Sequence, residues 1–344
     1  MSRRLLFIRL SSFGDVVIQT ATLSWLKSVD PDLKITFVTN KSFSKLLEGH
    51  PLVDELICFN KGEESFFQFI KRLKAIHKNS PFDFIFDAHG VTKSWLIRLC
   101  FIFTPQLVVG KRRWRRTLLT RFPFGFFDLW SSKWLGLENQ TERTRLDFKG
   151  IFESQSTHTN TTSLKSYPFQ FSELVPQNYI VIAPGASFES KKYPLKLVCE
   201  YIMKFLNHTE FKKFKIVLTA GSVDEIGDAF HQIQDSRFIN LAGKTNVEMS
   251  ASLIENAKGI IANDSLATHL GQAYNTPTIT LFGPTSEHFG FSTYQKNSLS
   301  ISHAIWCRPC STTGKSKCFR TQQFCFTKTT PDYLLQKSVE MFLW

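Results

Sequence analysis

Between residues 5 and 87 the chain alternates short apolar runs with amphipathic stretches. Leu5–Leu10 is followed by a loop, by the helical spacing of Val16–Lys27 and by the run Ile35–Val38, which predicts strand, helix, strand. Leu56–Phe59, Phe66–His77 and Phe84–Asp87 repeat the order, the rhythm of a parallel sheet flanked by helices. From Gly150 to about Pro176 the pattern turns polar, with Ser154, Ser156, Thr157, Thr159, Thr161, Thr162 and Ser163, and residues 151–177 read as a linker. A second alternation runs through Tyr179–Ile182, Lys215–Thr219, Phe238–Leu241, Gly259–Ala262 and Thr278–Phe282, and Pro331–Leu343 reads as a closing helix. The pattern predicts two doubly wound α/β domains, residues 1–150 and 178–330.

A length of 344 residues agrees with two domains. With 42% hydrophobic and 21% charged residues the chain is globular, which excludes disordered, collagen-like and coiled-coil classes. The apolar run Leu5–Ile8 stops at Arg9, too short for a signal-peptide core, and Leu99–Val109 is interrupted by Pro105 and too short for a bilayer span. A soluble, cytoplasmic protein is the expectation.

In sheets of this kind ligands bind outside the carboxyl ends of the strands, so the candidate chemistry belongs at strand-to-helix junctions. The first junction is Arg9-Leu10-Ser11-Ser12-Phe13-Gly14-Asp15. Gly14 permits a tight turn, and Asp15 lies near a helix start, where a carboxylate is a standard cap. The functional alternative is a general base, which requires reach to an acceptor hydroxyl. The second junction, Ile182-Ala183-Pro184-Gly185-Ala186-Ser187, leads into Ser190-Lys191-Lys192-Tyr193-Pro194: an anion cradle, or two solvated lysines at a helix entrance. The third is Ile261-Ala262-Asn263-Asp264-Ser265-Leu266-Ala267-Thr268-His269, whose hydroxyls and helix-start N–H groups suit a diphosphate. Alone, Asp264 is a cap and His269 a half-buried histidine. With Leu281-Phe282-Gly283-Pro284-Thr285 ending the next strand, the loops together fit a nucleotide better than separate caps do.

Ser11-Ser12-Phe13-Gly14-Asp15, Pro184-Gly185-Ala186-Ser187 with Ser190-Lys191-Lys192-Tyr193-Pro194, Leu241-Ala242-Gly243-Lys244-Thr245, Asn263-Asp264-Ser265 with His269, and Phe282-Gly283-Pro284-Thr285 together resemble glycosyltransferase family 9, the bacterial lipopolysaccharide heptosyltransferases. The resemblance spans nearly the whole chain in order and spacing. It implies a GT-B fold: two Rossmann-like domains facing a cleft, acceptor on the first and sugar nucleotide on the second, with a terminal helix (331–344) packing back on the first. It also implies inverting transfer of heptose from ADP-L-glycero-β-D-manno-heptose to an inner-core sugar of Kdo-lipid A type, with no metal or cofactor required. Asp15 then matches the base and Lys191 the phosphate-binding lysine. Gly185, Ser187, Asp264, Ser265, Leu266, Ala267 and His269 fall on the donor side, with Glu225 where an acidic residue holds the ribose. Ser11, Gly14, His89 and Lys93 fall on the acceptor side. Two positions depart from the pattern, Leu266 for a usual glycine and Tyr193 for a frequent tryptophan, and the first bears on which sugar nucleotide fits.

The formal charge is +13, and residues 1–150 hold 24 basic against 14 acidic side chains, a net of +10 that leaves +3 for the rest. Nucleic acid, acidic lipid and a phosphorylated small molecule all suit such a balance. No recognised nucleic-acid motif is present and the phosphate-loop chemistry lies in the less basic half, which argues against nucleic acid. In Lys111-Arg112-Arg113-Trp114-Arg115-Arg116, the arginines Arg112, Arg113, Arg115 and Arg116 suit the phosphates and carboxylates of an inner-core acceptor, or form a solvated loop. Phe122, Phe124, Phe126, Phe127, Trp130 and Trp134 follow, either as core or as a contact with the inner-membrane surface, where the protein would be peripheral. The 34 Phe divide in the same way between core and surface. Cys307, Cys310, Cys318 and Cys325 are close enough in sequence for structural zinc, but depart from the paired C-x2-C ribbon; reduced thiols are the default reading.

Overall fold

In a computed structural model the described residues are 2–101, 107–110, 162–221 and 226–343. They form two compact units that part between Lys165 and Ser166. The first contains β1 (Arg4–Ile8), α1 (Phe13–Val29), β2 (Lys34–Asn40), β3 (Glu55–Phe59), α2 (Phe66–Asn79), β4 (Phe84–Asp87), α3 (Thr92–Leu99) and β5 (Leu107–Gly110). Its sheet has the order β3-β2-β1-β4-β5, and every neighbouring pair is parallel.

Alternate residues of β1 serve opposite faces of this sheet. Leu5 and Phe7 pack with Leu23, Leu26 and Phe37, whereas Leu6 and Ile8 pack with Val38, Ile57, Phe69 and Ile97. Both faces are covered, so the strand is apolar throughout instead of alternating. Phe7 lies between Phe37 and Phe86, with ring centroids 5.2 and 5.1 Å away. Much of the phenylalanine excess is therefore core. At α2, Ser65 Oγ accepts from the Gln68 N–H, and the Ser65 N–H donates to Gln68 Oε1, so both ends of a capping box are made.

The second unit contains β6 (Tyr179–Ala183), α4 (Leu195–Asn207), β7 (Lys215–Leu218), β8 (Phe238–Asn240), α5 (Val247–Glu255), β9 (Gly259–Asn263), α6 (Leu266–Ala273), β10 (Thr278–Leu281), β11 (Ser298–Ile301) and α7 (Pro331–Phe342). The sheet order is β11-β10-β9-β6-β7-β8, again all parallel. Each sheet winds outward in both directions from its first strand. The switch points fall between β1 and β4 and between β6 and β9, where the carboxyl ends of adjacent strands diverge and leave room for a ligand.

Most expected elements are present within a residue or two. The short α3, β5 and the edge strand β11 were not anticipated: α3 exposes Trp95 and Leu96, which blurs its amphipathic signal, and β11 alternates serine with apolar residues over only four positions. The expected linker is no free tether at its end. Thr162 is buried, the Ser163 N–H donates to Thr20 Oγ1 at 3.1 Å, and Lys165 donates to the Glu48 carbonyl. The earlier serines and threonines of that stretch lie outside the described residues.

Helix α7 packs on the core of the second unit. Leu334 and Phe342 belong to the core of the second unit, and Ser338 Oγ lies 2.8 Å from Tyr201 Oη of α4. Gly259 makes room for Phe342: a Cβ there would sit 2.3 Å from the ring. Its buried residues thus pack within the second unit. Among the described residues no helix is long and apolar enough to cross a membrane.

Candidate functional site

Both switch points carry the residues singled out in the sequence. At the first, the Arg9 side chain is buried, its Nη1 donating to the Ala88 carbonyl at 2.7 Å while Nη2 pairs with Asp15 Oδ2. Asp15 Oδ2 also accepts from Ser12 Oγ at 3.1 Å. Asp15 stands in the first turn of α1, where the helix dipole favours an anion, so its capping role is real. The carboxylate nevertheless keeps a side-chain exposure of 20%. A charge-assisted bond to a buried guanidinium fixes its direction without sealing it from a ligand.

Beside it, at the end of β4, Asp87 is fully buried. Its Oδ1 accepts from the His89 and Gly90 N–H groups at 2.9 and 2.8 Å, and its Oδ2 accepts from Ser94 Oγ at 3.0 Å. This turn carries the His89 ring to Ser11, with Nε2 3.3 Å from Oγ. Ser11, Gly14, Asp15 and His89 are therefore brought together. Lys93 is not: its ammonium lies over the rings of Phe59 and Phe66, 5.6 and 5.8 Å from their centroids. Arg112, Arg113, Arg115 and Arg116, the aromatics from Phe122 to Trp134, and Glu225 lie outside the described residues.

At the second switch point Lys191 Nζ is 2.8 Å from Asp264 Oδ2, which also accepts from Thr285 Oγ1 at 2.8 Å. Burial alone would push the Asp264 carboxyl up. The Lys191 ammonium outweighs that, with help from His269 and the Thr285 hydroxyl, and holds it below the ordinary carboxylate range. Two loops meet through Asn263, whose Oδ1 accepts from the Tyr193 N–H at 3.0 Å and whose Nδ2 donates to the Pro184 carbonyl. Gly185 and Ser187 lie on the loop between, Ser187 exposed. Ser265 is the N-cap residue of α6, and its own side chain makes no capping bond to the first turn that Leu266 and Ala267 begin. A helix start flanked by a lysine is suited to an anion. His269 is buried one turn further on, its ring centroid 6.0 Å from that of Phe291.

Three contributors carry little or no sequence signal of their own. Arg9 was readable as a charge closing an apolar strand at a junction. Asn263 was visible only as part of a motif, and its bridging geometry needs both loops in place. Gly314, which contacts Lys191 from a loop 123 positions later, left no mark in the pattern. The late cysteines are all free thiols. Burial pushes the Cys325 thiol up to about 12, and among the described residues no three His, Cys, Asp or Glu side chains form a ligand set for a metal ion.

This architecture has known counterparts. A lipopolysaccharide heptosyltransferase 1 from Campylobacter coli is 26% identical over 307 residues, covering 83% of this chain and 85% of the relative. A family 9 glycosyltransferase from Veillonella parvula superposes with a TM-score of 0.75 at 16% identity, covering 100% of this chain and 99% of the other. The Escherichia coli heptosyltransferase WaaC, solved with ADP-2-deoxy-2-fluoro heptose, gives a TM-score of 0.66 at 18% identity with 98% and 99% coverage. Residues 71–318 match the model of glycosyltransferase family 9 (heptosyltransferase). With two successive parallel-sheet domains of the GT-B class and a family match over most of its length, the chain is a glycosyltransferase and belongs to family 9, the heptosyltransferases.

Proposed function

We propose that the protein transfers heptose from ADP-L-glycero-β-D-manno-heptose to the inner core of lipopolysaccharide, with inversion at the anomeric carbon and Asp15 as general base. The observation that carries this reading is the Lys191–Asp264 pair beside the start of α6, at the switch point of the second sheet. A diphosphate seated there competes with Asp264 for the ammonium and meets the N–H groups of the first helical turn. The Campylobacter coli relative is a lipopolysaccharide heptosyltransferase, and the Escherichia coli heptosyltransferase was solved with ADP-2-deoxy-2-fluoro heptose, which supports the reading.

The chemistry follows from these residues. An acceptor hydroxyl attacks the anomeric carbon from the side opposite the diphosphate and gives its proton to Asp15 as the new C–O bond forms. The bond to the phosphate oxygen breaks, and ADP departs with the electron pair. Lys191 and the helix start stabilise the charge that develops on the leaving group. In this reading the lysine and the helix start suffice without a metal. The basic first half of the chain would meet an anionic, membrane-anchored acceptor, and the protein would work at the cytoplasmic face of the inner membrane.

The test is transfer from ADP-heptose to a deacylated Kdo-lipid A acceptor, run against other sugar nucleotides and with EDTA present. Expected are turnover with ADP-heptose that EDTA leaves intact and a loss of about 10²–10⁴ in kcat for Asp15→Ala. Preference for another sugar nucleotide overturns the donor assignment, EDTA-sensitive turnover overturns metal independence, and full activity of the variant overturns the base.

A further inference from the structure

The segment between β11 and α7 is 29 residues long and contains only one short 3-10 turn, at Phe324–Phe326. Uncommitted chain of that length inside a compact domain usually has a function. Here it is tied to the second switch point at several places. The N–H groups of Cys310 and Ser311 donate to the Pro284 carbonyl at 3.1 and 3.3 Å, and Arg308 Nη2 donates to the Thr285 carbonyl at 2.7 Å. Gln323 Nε2 donates to the Ser190 carbonyl at 2.9 Å, and Ser190 Oγ donates to the Gly314 carbonyl.

Gly314 lies against the side chain of Lys191. Gly314 is buried, has φ +83°, and its N–H donates to Ser311 Oγ at 2.8 Å, which closes a tight turn. A Cβ built on it would sit 2.4 Å from Lys191 Cγ and 2.5 Å from Cδ. The stem of the lysine therefore lies across the bare α-carbon of the glycine, and its ammonium emerges beside Asp264. Four methylenes give lysine many rotamers, and fixing them costs entropy at each binding event unless the fold has fixed them already.

We propose that Gly314 is a positioning residue for Lys191: the turn at 311–314 is the seat that preorganises the lysine stem, so the late loop sets the affinity of the second domain for a nucleoside diphosphate. The inference rests on the donor-side reading of Lys191 given above. Glycine is required twice, for the left-handed backbone and for the absent Cβ. Ser190 supports the seat from beneath, holding the carbonyl of Gly314 while its own carbonyl is held by Gln323.

The experiment is calorimetric titration of ADP into four full-length proteins: the unaltered chain, Gly314→Ala, Lys191→Met and the double variant, each with its melting temperature. Lys191→Met and Gly314→Ala should each raise Kd by about tenfold or more, the scale of one charged hydrogen bond. The double variant should bind no worse than Lys191→Met alone, because a seat has no effect without its occupant. Additive losses, or an unchanged Kd for Gly314→Ala, overturn the positioning role while leaving the donor reading in place. A Lys191→Met protein that binds ADP as well as the unaltered chain overturns the donor reading and this inference with it. Should Gly314→Ala unfold at the assay temperature, Ser190→Ala replaces it, with an expected loss of about threefold that disappears in the Lys191→Met background; persistence of that loss overturns the role.

Discussion

Arg9 closes β1 and Asp15 opens α1, and the guanidinium of the first is bonded at once to the carboxylate of the second and to the carbonyl of Ala88 beyond β4. One buried side chain thus spans the switch point of the first sheet and aims the residue proposed as base. Arg9→Met should leave a partly buried carboxylate without its partner, lowering stability by about 1–3 kcal/mol and reducing kcat. Arg9→Lys keeps the charge but not the two-pronged geometry, and should recover stability further than it recovers kcat. Urea unfolding and steady-state kinetics on both variants check this; equal recovery of the two quantities would leave Arg9 a purely structural group.

Asp264 links the proposed donor site to acid stability. Its carboxyl titrates below the ordinary range in the folded protein, held there by Lys191 against the opposing effect of burial. The unfolded chain therefore binds the proton more readily, so this residue contributes stability that is complete above the ordinary carboxylate pKa near 4 and is lost as pH falls through the depressed folded value. Asp264→Asn should flatten that part of the acid limb in a plot of melting temperature against pH. A variant whose acid limb parallels that of the unaltered protein would contradict the pairing.

Gly259 and Phe342 provide a test of where the terminal helix belongs. Alanine at 259 meets the Phe342 ring at an impossible distance, so Gly259→Ala should cost about 1–3 kcal/mol and displace α7. Trimming the ring in the same protein, Phe342→Leu, should return part of that loss, giving a coupling energy of about 0.5 kcal/mol or more in a double-mutant cycle. Strict additivity would argue that the helix packs elsewhere.

The fold was largely legible because helical spacing recurs in both halves, and because covered parallel strands such as Leu5–Ile8 read as unbroken apolar runs. The junction motifs were legible too, since each marks the place where an apolar run gives way to small and polar residues. Asp15, His89 and Ser11 do converge, as do Lys191, Asp264 and the start of α6. What the sequence could not carry were contacts between distant segments. Lys93 reads as a cation near the acceptor, yet its ammonium lies over two phenylalanine faces. Helix α7 reads as amphipathic, but the space that Gly259 leaves for Phe342 is not written in its pattern. Gly314 looks like any turn glycine until the lysine stem is seen lying on it.

The bridge made by Asn263 has a practical corollary for building chimaeras. Its amide holds Pro184 at one end of the lysine-bearing loop and Tyr193 at the other. A graft of residues 184–194 into a relative would arrive without the residue that sets the distance between its two ends. Exchanging sugar-nucleotide preference among these enzymes by loop transplantation should succeed only when the loop travels with its asparagine, so that the transferable part is a pair of segments.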